Sequence, residues 1–332
     1  MNELVTVIVC AYNHDKFVEE TIRSVFAQDY RPIQLIISED GSKDRTRTVI
    51  EEKLRSLPHG IEVVRLYALQ NGGLSSALNR ATPLIKGDVV VMQAGDDVAE
   101  PCRVRRILEA FRTYPKAAMV WSAHSVIDGE GRPLAKGYDA GVTTVFSLSE
   151  ATMKKPPTFL GATCAYARTA FTDFAPLDPG IVQEDLVLPY RCMGLGTAIW
   201  LPERLVRYRV HGGNIHFGGF QQNSAELVAR IVRLRRNREA VAKQNLEDSA
   251  CLAARGQPFP AWMLSFLRIR QEEARAEAYI STMTSWIGRG LELARLAILR
   301  RLPLANTAKL FLLYVTPFAY ATALKLWLRI QR

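Results

Sequence analysis

VTVIVCAYNHDKFVEETIRSVF, residues 5–26, holds two different periodicities. Val5 to Tyr12 is a nearly unbroken apolar run, rich in β-branched side chains and too short for a free-standing helix, which predicts a strand buried on both faces. Behind it Phe17, Val18, Ile22, Val25 and Phe26 recur at helical spacing, with Asn13 and Asp15 placed to cap the helix. The chain then repeats this unit. IQLIIS (33–38) is a second strand, followed by a helix from Ser42 marked by Val49, Ile50, Leu54 and Leu57. IEVVRLYAL (61–69), a helical segment Ser76–Ala81 and DVVVM (88–92) continue it. The order βαβαβαβ predicts a mostly parallel α/β sheet with helices on both faces.

Past Ala118 the pattern changes to strands and loops: AAMVWSAHSVID (117–128), the turn DGEGRP (128–133), and a Gly/Pro-rich stretch at 156–180, with a helix expected after Pro179. Beyond residue 220 the chain turns helical and basic, as in ELVARIVRLRRNREAVAKQ (226–244), with a break at GQPFP (256–260). Residues 1–220 carry as many basic as acidic side chains, so the whole excess of +10 falls on residues 221–332. That asymmetry points to a polyanionic partner for the tail, nucleic acid or an anionic lipid surface. Five scattered cysteines, Cys10, Cys102, Cys164, Cys192 and Cys251, fit neither a disulfide framework nor a CxxC zinc site, and a reducing environment is expected. Met1–Asn13 has no basic n-region, so no signal peptide is expected.

In an open α/β sheet a ligand sits beyond the carboxyl ends of the strands. Those ends read CAYN (10–13), SEDGS (38–42), LQNGG (69–73) and QAGDD (93–97). There is no GxGxxG after the first strand and no GxxxxGK, so the common glycine cradles for phosphate are absent. A phosphorylated ligand would then rely on a cation and side chains. Asp96 and Asp97 are suited to this, because Mg²⁺ and Mn²⁺ take one or two carboxylates plus the substrate's phosphates.

VTVIVCAYNHDKFVEETIRSVFAQDY, SEDGSKDRT, NGGLSSALNRA, GDVVVMQAGDDVAEP, QEDLVLPYR and YRVHGGN, in this order, resemble the motifs of family-two glycosyltransferases of the GT-A fold over about the first 215 residues. The resemblance implies a nucleotide-sugar donor, with UDP-sugars favoured, a Mn²⁺ or Mg²⁺ ion, and inversion at the anomeric carbon. It implies that Cys10, Ala11, Tyr12 and Asn13 line the nucleobase pocket, that Glu39, Asp40 and Asn79 belong to the donor site, that Asp96 faces the ribose or sugar, and that Asp97 ligates the metal. The chain departs from the pattern at Ala94, where many members carry a carboxylate, at Glu39, and at Leu78, where an Arg is frequent. Residues 1–100 would be the nucleotide-sugar half, 101–220 the acceptor half, 221–300 a basic helical extension and 301–332 a membrane-associating tail.

Transfer with inversion needs a base for the acceptor hydroxyl and neutralisation of the departing diphosphate. Asp185 in QEDLVLPYR is the candidate base, expected in the first turn of the helix after Pro179, with the adjacent Glu184 as its competitor. His211 could complete the metal or diphosphate shell. The bland readings are that Asp96 and Asp97 merely form a turn, that Asp185 serves helix electrostatics, and that Asn13 only caps. The expected acceptor is a glycan or lipid-linked glycan hydroxyl. A catalytically inactive GT-A scaffold and a nucleic-acid-binding protein are the rivals, the latter disfavoured because aliphatic runs rather than stacking aromatics separate the basic residues. LFLLYVTPFAYATALKLWL (310–328), interrupted by Pro317 and Lys325 and flanked by basic residues on both sides, reads as an interfacial anchor on an anionic surface, at the cytoplasmic face of the inner or plasma membrane.

Overall fold

The computed structural model describes residues 3–134, 141–149, 157–212 and 224–282. They fall into two units, Met1–Gln222 with Glu247–Phe259, and Asn223–Leu246 with Pro260–Arg332. In the first unit the expected alternation is present: β1 (Val5–Ala11), α1 (Val18–Phe26), β2 (Ile33–Glu39), α2 (Thr46–Leu54), β3 (Ile61–Tyr67), α3 (Gly73–Ala81) and β4 (Val89–Ala94). Side by side they run β3-β2-β1-β4, all parallel. Burial explains the unbroken apolar runs. Val5, Val7, Val9, Leu35 and Ile37 pack into a core with Ile22 of α1, Ile50 of α2 and, from farther along the chain, Ile107. The opposite face carries α3, where the Ser38 hydroxyl donates to the Ala77 carbonyl at 3.1 Å.

The sheet continues through β5 (Val98–Ala99), α4 (Arg103–Thr113), β6 (Ala117–Ile127), β7 (Thr144–Phe146), β8 (Cys164–Ala167), α5 (Thr169–Thr172), α6 (Leu188–Leu195) and β9 (Thr197–Arg209). Beyond β4 the order is β8-β6-β9-β5, with β7 paired to β9. The expectation of a mostly parallel sheet is corrected here, because β8 runs antiparallel to both β4 and β6, and the whole is mixed. Strand β9 was not legible as one strand. Pro202 cannot donate to a ladder, and the β6–β9 register shifts on either side of Ala123 to pass it.

Two helix starts move. The helix expected from Ser42 begins at Thr46, whose N–H donates to the Asp44 carboxylate at 2.9 Å. The helix expected after Pro179 begins only at Leu188, with a proline in its first turn; a single 3₁₀ turn, Glu184–Leu186, precedes it. Past β9 come α7 (Ser224–Ala254) and α8 (Ala261–Thr282), separated where Gly256 takes a φ of 76°. Among the described residues no helix is long and apolar enough to cross a membrane. The tail 301–332 and the end of the basic extension lie outside the described residues.

Candidate active site

At the carboxyl edge of the parallel strands β1, β2 and β4 end together, with Ala11 opposite Glu39 and Cys10 opposite Ala94. Gly95 permits this closeness. Its N–H donates to the Cys10 carbonyl at 2.8 Å, and a Cβ there would lie 2.7 Å from His14 Nδ1 and 2.9 Å from Ala11 Cβ. The Ala11 carbonyl accepts the Asp40 N–H at 2.9 Å. Tyr12 is half-buried and Asn13 exposed, with a left-handed φ of 54° that asparagine tolerates. Asn13 does not cap α1. Its side-chain oxygen accepts the Lys43 N–H at 2.9 Å and its own N–H donates to Ser42 Oγ at 2.9 Å, which pins the end of β1 to the turn after β2.

Asp40, buried at that turn, accepts the N–H groups of Gly72 (3.0 Å) and Gly73 (2.7 Å) on one oxygen and pairs with Arg80 Nη2 at 2.6 Å on the other. It thus joins SEDGS to LQNGG, and its second oxygen retains acceptor capacity. Glu39 is turned aside, accepting the Ser42 N–H at 2.5 Å. Asn79 spends both ends of its amide on Leu177, donating to the carbonyl at 2.7 Å and accepting the N–H at 2.8 Å. That doublet fastens α3 to the chain ahead of Asp185. Arg80, next to Asn79 in α3, is the partner of the Asp40 carboxylate, a role with no local signal in the sequence.

The adjacent carboxylates Asp96 and Asp97 point to different places. Asp97 is fully enclosed: Oδ1 accepts the Arg209 N–H at 2.8 Å, and Oδ2 is buried with no partner. Burial, reinforced by the charge of Asp96, pushes its carboxyl well above the usual range, so it favours the protonated form. Asp96 instead meets His211 Nε2 at 2.9 Å, with His14 Nε2 at 3.8 Å. Burial alone would raise its pKa, yet the His211 hydrogen bond and the two imidazoles hold it below the usual range. The pair expected to share a ligand is thus split: Asp97, the expected metal ligand, lies enclosed against the Arg209 N–H, and Asp96, expected at the ribose or sugar, is the carboxylate that meets the histidines. His14 is itself shifted toward the neutral form by burial, and its Nδ1 is buried without a partner.

Arg209 builds this arrangement. Its guanidinium, 2% exposed, donates to the carbonyls of Asp96 (2.8 Å), Asp128 and Gly129 (3.2 Å each) and pairs with Glu20. It lies over the Phe17 ring, which also packs on His211. Only the spacing YRVH hinted at this, since Arg209 and His211, two residues apart, share one face of an extended chain. No group of three or more His, Cys, Asp or Glu that could hold a metal is present among the described residues, so a cation here would draw its remaining ligands from phosphate and water.

Glu184 and Asp185 also part company. Glu184 is 5% exposed under Gly161, where a Cβ would fall 2.0 Å from its Oε1. Burial and the neighbouring Asp185 charge push its carboxyl up to about 8. Asp185 is less enclosed and its Oδ2 accepts the Gly161 N–H at 3.1 Å. Because it precedes α6, helix-dipole stabilisation gives way to this direct hydrogen bond.

Residues 6–173, half of the chain, match the sequence model of glycosyl transferase family 2. The chain belongs to this family. Among family relatives, an uncharacterised glycosyltransferase of Nostoc sp. is 28% identical over 67% of this chain and 69% of its own length. The chondroitin synthase of Escherichia coli is 31% identical over 41% of this chain, which spans only 19% of that longer protein. The fold is similar to S. aureus TarS 1–349, solved in complex with UDP and with UDP-GlcNAc, at TM-scores of 0.56 and 0.54 and 14–15% identity, covering 94% of this chain and 91–92% of that one.

Proposed function

We propose that the protein is an inverting glycosyltransferase that moves a sugar from a nucleoside-diphosphate donor, with UDP-sugars favoured, to a hydroxyl of a glycan or lipid-linked glycan. The observation that carries this reading is the meeting of Asp96 and His211 at 2.9 Å, on the edge where β1, β2 and β4 end. The UDP and UDP-GlcNAc complexes of TarS support the choice of nucleotide.

The residues divide the work. The β1 end, Cys10–Asn13, and the Asp40 turn would receive the base, with Asp40 Oδ1 free for one more donor. Asp96 and His211 would hold Mn²⁺ or Mg²⁺, which supplies charge neutralisation for the departing diphosphate. Asp185 accepts the proton of the attacking hydroxyl. Glu184 does not compete near neutral pH, because it is sealed beneath Gly161 and retains its own proton. Held at a membrane by residues 302–332, the enzyme would meet a lipid-linked acceptor confined to the same anionic surface.

Hydrolysis of a panel of nucleotide sugars with Mn²⁺ tests the reading. At least one UDP-sugar should be consumed, and excess EDTA should stop it. Consumption of none, or full activity in EDTA, refutes it.

A further inference from the structure

On the far side of β4 from the Asp40 turn, strands β6, β7 and β9 border an open cavity of about 250 Å³. Five apolar side chains wall it: Trp121 from β6, Trp200 opposite it on β9, Phe146 from β7, Pro157 and Leu160. The aromatic rings form one cluster, with Trp121 5.5 Å from Trp200 and 5.3 Å from Phe146 between centroids. Ser122, His124, Thr158 and Thr163 add a minor polar share, and the Ser122 and Thr163 hydroxyls already donate to the carbonyls of Ala123 (3.0 Å) and Leu160 (2.9 Å). Two lining residues, Leu160 and Thr163, flank Gly161, the residue whose N–H donates to the Asp185 carboxylate at 3.1 Å. Cavity wall and candidate base therefore share one short turn.

We propose that this cavity is the acceptor subsite and that it takes a single pyranose ring, laid with its C–H face on the Trp121–Trp200 wall and its hydroxyls toward the Ser/Thr/His side. The inference rests on the glycosyl-transfer reading above. Three features select a sugar ring. Aromatic faces carry negative quadrupole density and attract the polarised C–H groups of a ring. A largely apolar, aromatic wall with hydroxyl oxygens along one side matches a ring with one apolar face and a polar rim, because the Ser122 and Thr163 oxygens, whose protons are spent on backbone carbonyls, can still accept from its hydroxyls. The volume lies below the ~300–1,000 Å³ of pockets for drug-sized ligands, which suits one ring rather than an oligomer. A nucleobase is disfavoured by position, since its expected pocket lies at the ends of β1 and β2, and β4 and β8 separate those strands from β6.

The cavity contains two tryptophans, so ligand entry is read directly. The probes are the methyl glycosides of glucose, galactose, mannose and N-acetylglucosamine, titrated into the full-length protein in the presence of UDP and Mn²⁺ while tryptophan fluorescence and saturation-transfer NMR are followed. At least one glycoside should bind, with its ring C–H protons most strongly saturated. Trp200→Leu and, separately, Phe146→Ala should each weaken binding on the order of tenfold, with UDP affinity serving as the check that each variant is folded. The inference is overturned if none of the glycosides binds to a protein that hydrolyses UDP-sugars, if both variants bind glycoside as tightly as the parent, or if decanol displaces the glycoside, which would assign the cavity to an alkyl chain. Absence of all UDP-sugar hydrolysis would instead overturn the glycosyl-transfer reading, while the glycoside titration still reports whether the cavity takes a sugar.

Discussion

Glu184→Gln should make the protein more stable at alkaline pH and leave it nearly unchanged in acid. The side chain is 5% exposed and its carboxyl is raised from an ordinary 4.5 to about 8 by burial and by Asp185. Between these values the folded protein keeps a proton that the unfolded chain has lost, so unfolding releases it. Stability is then fully present below pH 4.5 and declines as pH climbs through 8. At about 1.4 kcal/mol for each pH unit of displacement, the decline attributable to this group approaches ~5 kcal/mol as a ceiling. Glutamine has nearly the same shape and no proton to lose. The variant should therefore lack this part of the pH dependence, while Asp97, whose carboxyl is also raised, contributes equally to both proteins and drops out of the difference. For a domain of this size ~1 kcal/mol corresponds to ~2–4 °C, so the Tm advantage of the variant should grow from near zero at pH 5 to on the order of 10 °C at pH 8.5. Thermal unfolding followed by circular dichroism across pH 5–8.5 measures it. Parallel Tm profiles for the two proteins would refute the buried, proton-holding Glu184.

Asp96→Asn should lower Mn²⁺-dependent turnover by roughly 10²-fold or more, whereas Asp97→Asn, which replaces an enclosed, proton-holding group by an isostere, should keep UDP affinity within about threefold; the reverse ranking in turnover and UDP titrations would show that the ligand carboxylate is Asp97. Asp185→Asn should leave donor affinity nearly unchanged and cut transfer by roughly 10²-fold, and a larger kinetic loss in Glu184→Gln would reverse the choice of base. Asn79→Ala removes both bonds to Leu177 and should destabilise the fold by about 1–3 kcal/mol, read as a lower denaturation midpoint, with UDP affinity altered only through that loosening. Deletion of residues 302–332 should move the protein from the membrane fraction to the soluble one, and the full-length protein should float with anionic vesicles at low salt; flotation with no vesicle composition would remove the anchor.

The β1-to-β4 alternation was legible in the sequence because each element there is decided locally. A strand buried on both faces must be apolar at every position, and a helix over it must be apolar at every third or fourth. The ends of those strands were legible for the same reason, and the sequence alone therefore assigns Asn13, Asp40, Asp96 and Asp97 to one edge. The later strands were not, because β8 owes its place between β4 and β6 to partners distant in the chain, and Pro202 breaks the pattern of β9 where a register shift absorbs it.

Within the site, the sequence by itself determined which residue types were present but not which way adjacent ones face. Two carboxylates side by side, as in Asp96–Asp97 and Glu184–Asp185, are equivalent on paper. Only the tertiary structure separates them, because enclosure by Arg209 and the absence of a Cβ at Gly161 place one member of each pair out of water and toward its protonated form, leaving the other to meet His211 or the Gly161 N–H. Burial is a property of the whole packed surround and has no local code, which is why the chemistry of each pair waited for the fold to decide it.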